Sequence, residues 1–189
     1  MKILVLDNYD SFTYNLVHII RELGYGGPME VHRNDKISLE AAPFQKPLPP
    51  RGPALSADAG IMPALIRTYA PSKHILGICL GHQGIGECFG AGLTNLSEVL
   101  HGVATPVQRI PEEDPIFAGV PERFQVARYH SWAVDRATLN GKLRILAEDD
   151  AGIVMALRHR SYSVYGLQFH PESIITEYGM RMMENWLEL

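Results

Sequence analysis

The segment Gly77-Ile78-Cys79-Leu80-Gly81 carries the strongest chemical signal in the sequence. It has the spacing of a nucleophile elbow, in which a strand enters a sharp turn, one residue takes a strained conformation and a helix follows; here cysteine replaces serine. At a helix N-terminus, the unpaired N–H groups and the helix dipole favour a thiolate. The spacing therefore predicts a nucleophilic Cys79. A buried structural cysteine between two packing glycines would show the same spacing.

The second cysteine provides a contrast. Cys88 lies between Glu87 and Phe89, within the helix expected after the elbow, and no glycine pair flanks it. We interpret it as a packing residue. Two cysteines are too few for a disulfide scaffold, which favours a reducing compartment.

A cysteine nucleophile needs a base, and His170-Pro171-Glu172 follows an apolar run at residues 164–169. A histidine at the end of a strand points into the crevice where open α/β sheets place their ligands. Glu172 is close enough in sequence to orient the ring of His170 and fix its tautomer. Alone, a His-x-Glu triplet is more often a surface turn, and its value here comes from its pairing with the elbow.

Seven other histidines compete for the role of base: His18, His32, His74, His82, His101, His130 and His159. His159 lies between Arg158 and Arg160 and is predicted to be solvated. No two histidines have ligand spacing alongside a second cysteine, so we predict neither a metal site nor a cofactor.

The elements that position these residues alternate in type through the first half of the chain. Apolar runs predict strands at residues 2–6, 29–32 and 74–78, and helical spacing predicts helices at 12–23, 58–69 and 82–89, with Pro63 as a flaw in the second helix. Asp10 or Ser11 can cap the first helix. The second half predicts strands at 103–107, 124–128, 144–148, 154–158 and 164–169, hairpin-type turns at Asn140-Gly141 and Asp150-Ala151-Gly152, and a closing helix at 178–187.

These elements predict an α/β fold: an open, mixed, mainly parallel sheet flanked by helices, with additional antiparallel strands in the second half. At 189 residues, with 46% apolar and 20% charged residues, one domain covering residues 1–189 is the simplest organisation. The net charge of -4 argues against nucleic acid or an anionic membrane surface as a partner. No apolar run approaches the ~20 residues of a membrane span, so we expect a cytoplasmic protein.

Taken together, the motifs resemble those of the class I (triad) glutamine amidotransferases. More narrowly, they resemble those of the glutaminase subunit of anthranilate synthase and of the related subunit of aminodeoxychorismate synthase. The matching segments are in the family's order: Leu6-Asp7-Asn8-Tyr9-Asp10-Ser11-Phe12-Thr13-Tyr14-Asn15-Leu16, Gly77-Ile78-Cys79-Leu80-Gly81-His82-Gln83, Leu100-His101-Gly102, Arg128-Tyr129-His130-Ser131, Met155-Ala156-Leu157-Arg158-His159 and Gly166-Leu167-Gln168-Phe169-His170-Pro171-Glu172-Ser173.

The resemblance implies a mechanism. Cys79 would attack the side-chain amide of L-glutamine, His170 would transfer protons, and Glu172 would hold His170. The backbone N–H of Leu80, together with one from a glycine loop, would stabilise the oxyanion. By the same resemblance, Gln83, Ser131 and Trp132 would bind glutamine.

The resemblance also implies a partner. Ammonia would pass to a larger, chorismate-aminating synthase subunit in a hetero-oligomer. Asn8, Asp10, Ser11 and the segment Leu100-His101-Gly102 would lie toward that subunit.

The match fails in one place. Where the family's glycine loop reads Ser-Pro-Gly-Pro-Gly, this chain has Pro50-Arg51-Gly52-Pro53-Ala54, within a cluster holding five of its 13 prolines. The resemblance assigns Gly52, Pro53 and Ala54 to glutamine binding, but Ala54 replaces a glycine and Arg51 brings a cation. The preceding residues 44–49 should be an apolar strand, and proline is rare in central strands.

Two explanations of the altered loop stay open. Either it has diverged and activity is weakened, or compensating frame errors have altered residues 47–57. If residues 49–54 were encoded by CCT CCC CGG GGC CCG GCN, a set that we choose from the synonymous codons, a reading frame that begins at the last base of codon 49 would give Ser-Pro-Gly-Pro-Gly. We favour the frame error.

Of the two branches, the resemblance favours the glutaminase subunit of anthranilate synthase, in tryptophan biosynthesis. Three further functions remain alternatives. The chain could serve aminodeoxychorismate synthase, or it could be a stand-alone cysteine hydrolase of γ-glutamyl compounds. It could also be a non-catalytic interaction subunit if the altered loop is real.

Overall fold

The computed structural model describes residues 2–9, 12–39, 44–49, 60–96, 102–110 and 113–189. Asp10, Ser11, the 50–54 loop, Leu100 and His101 lie outside these residues. Within them the chain forms the following elements in order: β1 (Ile3–Asp7), α1 (Thr13–Glu22), β2 (Met29–Arg33), β3 (Lys46–Leu48), α2 (Met62–Tyr69), β4 (Ile75–Ile78), α3 (Leu80–Cys88), β5 (Leu93–Asn95), β6 (Val103–Arg109), β7 (Arg123–Arg128), β8 (Trp132–Val134), β9 (Leu143–Asp149), β10 (Val154–His159), β11 (Val164–Leu167) and α4 (Gly179–Glu188). Short 3₁₀ turns follow β6 and β8, at Pro115–Phe117 and Arg136–Thr138.

The strands pair in parallel near the elbow and antiparallel further along the chain. β1 pairs in parallel with β2 and β3, and β4 pairs in parallel with β11. From β11 the sheet continues antiparallel in the order β11, β10, β9, β6, β7, while β5 and β8 form a separate antiparallel pair. The predicted mixed α/β fold is confirmed.

Helices cover both faces of the sheet. Side chains of α1 and α4, including Leu16, Ile20 and Trp186, share one buried cluster with Leu76 and Ile78 of β4. α2 and α3 pack on the opposite face, where their side chains meet Ile75 of β4. Because successive residues of a strand point to opposite faces, β4 contributes to both layers and is buried throughout.

The proline-containing segment does form a strand, with a local interruption of the sheet. Pro47 of β3 lies opposite Leu4 of β1, and the N–H of Lys46 donates to Lys2 on that side. By strand alternation the nitrogen of Pro47 faces β4, where it has no proton to donate. Accordingly, among the described residues the strand ladder stops between β3 and β4, and the N–H of His74 donates to the carbonyl of Gln45 at 3.1 Å.

Lys46 is an unusual occupant of this strand because it is buried. Its ammonium donates to the carbonyl oxygen of Trp186 at 2.6 Å, near the end of α4. Burial lowers the pKa of Lys46 to about 8. The charge thus occupies a position where an aliphatic side chain would carry no such desolvation penalty.

Three expectations from the sequence were wrong in detail. Pro63 is no flaw, because α2 begins at Met62 and proline is well suited to the first turn of a helix. Asn140-Gly141 is not a hairpin turn, because β8 pairs with β5 rather than with β9. His159 is buried instead of solvated: it stacks on Tyr162 with a centroid distance of 4.4 Å and contacts the tilted ring of Phe89 at 4.5 Å.

The predicted hairpin at Asp150-Ala151-Gly152 is confirmed, since it joins the antiparallel strands β9 and β10. The short strands β5 and β8 have no counterpart among the sequence-based predictions. Across the described ranges, no helix is both long enough and apolar enough to cross a bilayer.

Candidate active site

Cys79 occupies the turn between β4 and α3 with a backbone φ of 53° and ψ of -105°. A positive φ is uncommon for a residue with a Cβ, and strain of this kind is typical of functional turns. Its carbonyl accepts the first helical hydrogen bond of α3, from the N–H of Gln83 at 3.1 Å. Cys79 is therefore the N-cap of α3, as the elbow spacing predicts, and Leu80 is the first helical residue.

Two glycines on neighbouring strands let α3 approach the sheet. Gly77 of β4 is paired in register with Gly166 of β11. A Cβ on Gly77 would overlap the backbone of Gly81, and one on Gly166 would lie 2.7 Å from Nδ1 of His82. The helix that Cys79 caps can sit this close only because both positions lack a side chain.

His170 and Glu172 follow the strand that lies beside the elbow. β11 is the parallel neighbour of β4, and the N–H of Cys79 donates to the carbonyl of Leu167 at 2.8 Å. His170 Nδ1 lies 2.9 Å from Glu172 Oε1, and both side chains are buried. A carboxylate acceptor at Nδ1 selects the tautomer that carries its proton there, which makes Nε2 the basic nitrogen.

Thr176 links the loop that carries His170 to the strand β7. Thr176 Oγ1 donates to the carbonyl of His170 at 2.7 Å and accepts from the N–H of Ala127 at 3.0 Å. The rings of Phe12 and Tyr129 pack against His170, with centroid distances of 6.1 and 5.0 Å. The imidazole is thus held by the Glu172 carboxylate and two aromatic rings, while Thr176 holds the backbone of His170.

A row of two buried glutamine amides ends at the sulfur of Cys79. Gln83 Nε2 donates to the carbonyl of Trp132 at 2.8 Å and to Oε1 of Gln168 at 3.2 Å. Gln168 Nε2 in turn donates to Cys79 Sγ at 3.8 Å, a distance compatible with the larger radius of sulfur. Gln168 was not identified as a site residue from the sequence, although it stands two residues before His170.

Two buried histidines near this row are neutral. The Nδ1 of His130 lies 2.8 Å from the carbonyl of Trp132, and its Nε2 accepts from Arg128 Nε at 3.2 Å. Burial, followed by the charge of Arg128, lowers the pKa of His130 to about 4. Burial also lowers the pKa of His82, on α3, to about 3. The charge of Arg128 is matched by Asp149 at 2.6 Å.

Of the residues predicted to bind glutamine, four lie within the described parts of the structure and three do not. Leu80 starts α3 directly after the nucleophile, and its N–H is one of the first-turn groups that no helical carbonyl can accept. Gln83 and Trp132 are joined by a hydrogen bond, and Ser131 is half-buried next to Trp132. Gly52, Pro53 and Ala54 lie outside the described residues.

Cys88 behaves differently from Cys79. It ends α3, and its Sγ contacts the carbonyl of Pro63 at 3.7 Å. Burial raises the pKa of the Cys88 thiol, the reverse of what a reactive thiol needs. In the described segments, no group of three histidine, cysteine, aspartate or glutamate side chains is placed to hold a metal ion.

The arrangement offers a thiol at a strained strand–helix turn and a histidine–glutamate pair after the adjacent parallel strand. These groups can support nucleophilic attack on an acyl or amide carbon with proton transfer through the imidazole. Fold and site together define an α/β protein of the nucleophile-elbow class, with cysteine as the candidate nucleophile.

Comparison with known proteins gives the family. Residues 4–189 match the family model for glutamine amidotransferase class-I. The chain is 42% identical over 192 residues to anthranilate synthase component 2 of Thermus thermophilus, covering 100% of this chain and 92% of the relative. It is 39% identical over 189 residues to aminodeoxychorismate synthase component 2 of Klebsiella aerogenes, covering 98% of each. The chain belongs to the class-I glutamine amidotransferase family.

A solved structure and a longer relative extend the comparison. The crystal structure of a protein assigned to GMP synthase, from Thermoplasma acidophilum, superposes with a TM-score of 0.86 at 27% identity, covering 100% of this chain and 92% of that one. The bifunctional protein TrpGD of Thermotoga maritima is 38% identical over 192 residues, but the chain spans only 32% of its length.

Proposed function

We propose that this chain is the glutaminase subunit of anthranilate synthase, hydrolysing L-glutamine and passing ammonia to a larger, chorismate-aminating subunit. The observation that carries the proposal is the placement of Cys79 and the His170–Glu172 pair after the adjacent parallel strands β4 and β11. The similarity to component 2 of anthranilate synthase supports the choice of partner.

In the first half-reaction, the thiol proton of Cys79 moves to Nε2 of His170 while Sγ attacks the amide carbon of glutamine. The tetrahedral intermediate collapses, its C–N bond breaks, and His170 returns the proton to the departing nitrogen, which leaves as ammonia. The product on the enzyme is a γ-glutamyl thioester of Cys79. Glu172 stabilises the imidazolium that forms in each transfer, because its carboxylate lies 2.9 Å from Nδ1.

In the second half-reaction, His170 takes a proton from water, and the oxygen attacks the thioester carbonyl. The C–S bond breaks, the proton moves from His170 to the sulfur, and L-glutamate leaves. In both steps, the N–H of Leu80 is the described donor for the oxyanion, since it begins a helix and points out of it. In this proposal, Gln83, Ser131 and Trp132 bind glutamine.

Free ammonia would be lost to water unless the partner covers its exit. The surface beside Glu172 is suited to such a cover, because a cleft of about 490 Å³ is lined by Glu172 together with exposed apolar side chains. The rest of the lining includes polar residues such as Asn15, Glu22 and Ser173. Among its apolar side chains, Ile174 is fully exposed, and Tyr178 and Met180 are 47% and 42% exposed. Exposed apolar groups in such a cluster are typical of a protein interface.

The test pairs the two cysteines. The chain is co-purified with its synthase subunit, and glutamate release from L-glutamine is measured. Cys79→Ala should abolish glutamate release and leave complex formation intact, whereas Cys88→Ala, the matched control, should retain activity. Glutaminase activity in Cys79→Ala would show that the proposed nucleophile is wrong.

A second candidate is the corresponding subunit of aminodeoxychorismate synthase. It is favoured by the Klebsiella aerogenes relative, whose identity to this chain is 39%, against 42% for the anthranilate relative. The purified complex is supplied with chorismate and glutamine, and the product is identified by mass spectrometry. Anthranilate supports the first proposal, and aminodeoxychorismate replaces it with the second.

A non-catalytic role would follow if the gene encodes residues 50–54 as written and this altered loop abolishes catalysis. Resequencing of the DNA across residues 47–57 decides between divergence and a frame error. Complex formation without glutamate release would then favour the non-catalytic role.

A further inference from the structure

Gln168 is a buried amide that the proposed mechanism leaves unused. It follows β11 directly, its side chain is fully buried, and it contacts the nucleophile through the bond from Nε2 to Cys79 Sγ at 3.8 Å. A buried primary amide is costly unless its polar atoms are paired. The position of Gln168 therefore needs an explanation beyond packing.

The orientation of this amide is fixed by a backbone carbonyl. The oxygen of Trp132 can only accept, so the Gln83 side chain must present its NH₂ group there. The second proton of that NH₂ group is donated to Gln168, which must therefore accept it with its side-chain oxygen, Oε1. The NH₂ group of Gln168 is consequently the one that faces Cys79 Sγ. All three hydrogen bonds of this row therefore have a fixed donor and acceptor, because the carbonyl oxygen of Trp132, at which the row begins, cannot donate.

The starting atom is itself held in place. His130 must carry its proton on Nδ1, because Nε2 accepts from Arg128, and it donates that proton to the carbonyl of Trp132. Arg128 is anchored by Asp149, and both side chains are buried. With the pKa of His130 lowered to about 4, this end of the network keeps its polarity at neutral pH.

We propose that Gln168 is a positioning residue of the active site, which holds the Cys79 sulfur by an oriented amide donor and stabilises its thiolate form. The inference rests on the proposed role of Cys79 as nucleophile. A donor aimed at sulfur favours the anion, because the charged form accepts a much stronger hydrogen bond than the thiol. Among the described residues, the buried titratable or charged groups on or directly after β4, α3, β7 and β11, apart from Cys79 itself, are His82, Arg128, His130, Tyr165, His170 and Glu172.

The test measures the thiolate directly. The rate of alkylation of Cys79 by iodoacetamide is followed against pH by mass spectrometry of the Cys79 and Cys88 peptides in the whole chain. Gln168→Met keeps the volume and removes the donor. It should raise the midpoint for Cys79 by about one pH unit, corresponding to a tenfold loss of thiolate below the midpoint.

Two controls separate this effect from loss of stability. The midpoint for Cys88 should not move in any variant. Asn185→Leu removes another amide, which donates to the carbonyls of Ile116 and Ala118 at 3.0 and 2.9 Å, and it should leave the Cys79 midpoint unchanged. An unaltered Cys79 midpoint in a folded Gln168→Met chain overturns the proposal, whether or not the chain hydrolyses glutamine.

A second measurement needs no variant at Gln168. The side-chain amide resonances of Gln168 are followed by NMR against pH in the wild-type chain and in Cys79→Ala. The proposal expects an inflection at the Cys79 midpoint that is absent from Cys79→Ala. A wild-type titration without that inflection contradicts the contact, even if Gln168→Met does not fold.

Discussion

Removal of the negative charge of Glu172 gives the most direct test of the proposed catalytic residues. Its Oε1 lies 2.9 Å from His170 Nδ1, and the two side chains are 1% and 5% exposed, so water screens the pair poorly. Glu172→Gln keeps the size of the side chain and an oxygen that can accept from Nδ1, and therefore keeps the tautomer of His170. What it removes is the negative charge opposite the imidazolium that forms during proton transfer.

The size of the effect follows from Coulomb's law. Unit charges about 4 Å apart interact by about 4 kcal/mol at an effective dielectric constant near 20. Because each ~1.4 kcal/mol on the barrier is tenfold in rate, Glu172→Gln should lower kcat by up to about 10³. KM should change little, because Glu172 has no role in binding glutamine in the proposed mechanism.

The assay is steady-state glutamate release by the complex with the synthase subunit. Glu177→Gln is the matched control: it removes a charge from the same segment, where Glu177 Oε2 accepts from the backbone N–H of Gln125 at 2.8 Å in an exposed setting. It should remain near wild type. A Glu172→Gln enzyme with kcat close to that of Glu177→Gln would refute the assignment of Glu172 as the partner of His170.

Three further predictions concern packing, partner binding and pH. Gly77→Ala should lower the free energy of unfolding by about 1–3 kcal/mol, because its Cβ would overlap the α3 backbone. Gly27→Ala is the control: a Cβ there would meet no atom within 4 Å, so its stability in urea denaturation should be near that of the wild type. Ile174→Asp should weaken binding of the synthase subunit in a titration while the melting temperature stays unchanged, because the side chain is 101% exposed; equal affinity would remove this surface from the interface. For pH, the folded chain holds His82 and His130 neutral, with pKa values of about 3 and 4, so between pH 6.5 and 5 the unfolded chain binds more protons. Stability should therefore fall as the pH is lowered through that window, by about 2 kcal/mol for each histidine, and an equal urea midpoint at pH 5 and pH 7 would contradict this.

The proline cluster illustrates how far local rules extend. Proline is rare in a central strand because it lacks an N–H, and that rule makes residues 44–49 a doubtful strand. The chain nevertheless forms β3, since Lys46 bonds toward β1 while the nitrogen of Pro47 faces β4. The missing N–H of Pro47 thus interrupts the hydrogen bonding between β3 and β4, but it does not prevent β3 from forming.

The sequence by itself determined the elbow, the His–Glu pair and the alternation of strands and helices. These features depend on short-range constraints: glycine spacing, the strand and helix periods and the reach of a carboxylate across two residues. The turn at Cys79 and the contact between His170 and Glu172 have the form that those constraints predict.

Only the tertiary structure decided which polar atoms meet in the interior. Gln83 and Trp132 are 49 residues apart in the chain, and Cys79 and Gln168 are 89 apart. The burial of His159 between two rings and the neutral state of His82 and His130 also depend on packing between distant elements. Sequence periodicity shows which face of an element is buried, but the direction of a buried hydrogen bond depends on the partner brought to it by the fold.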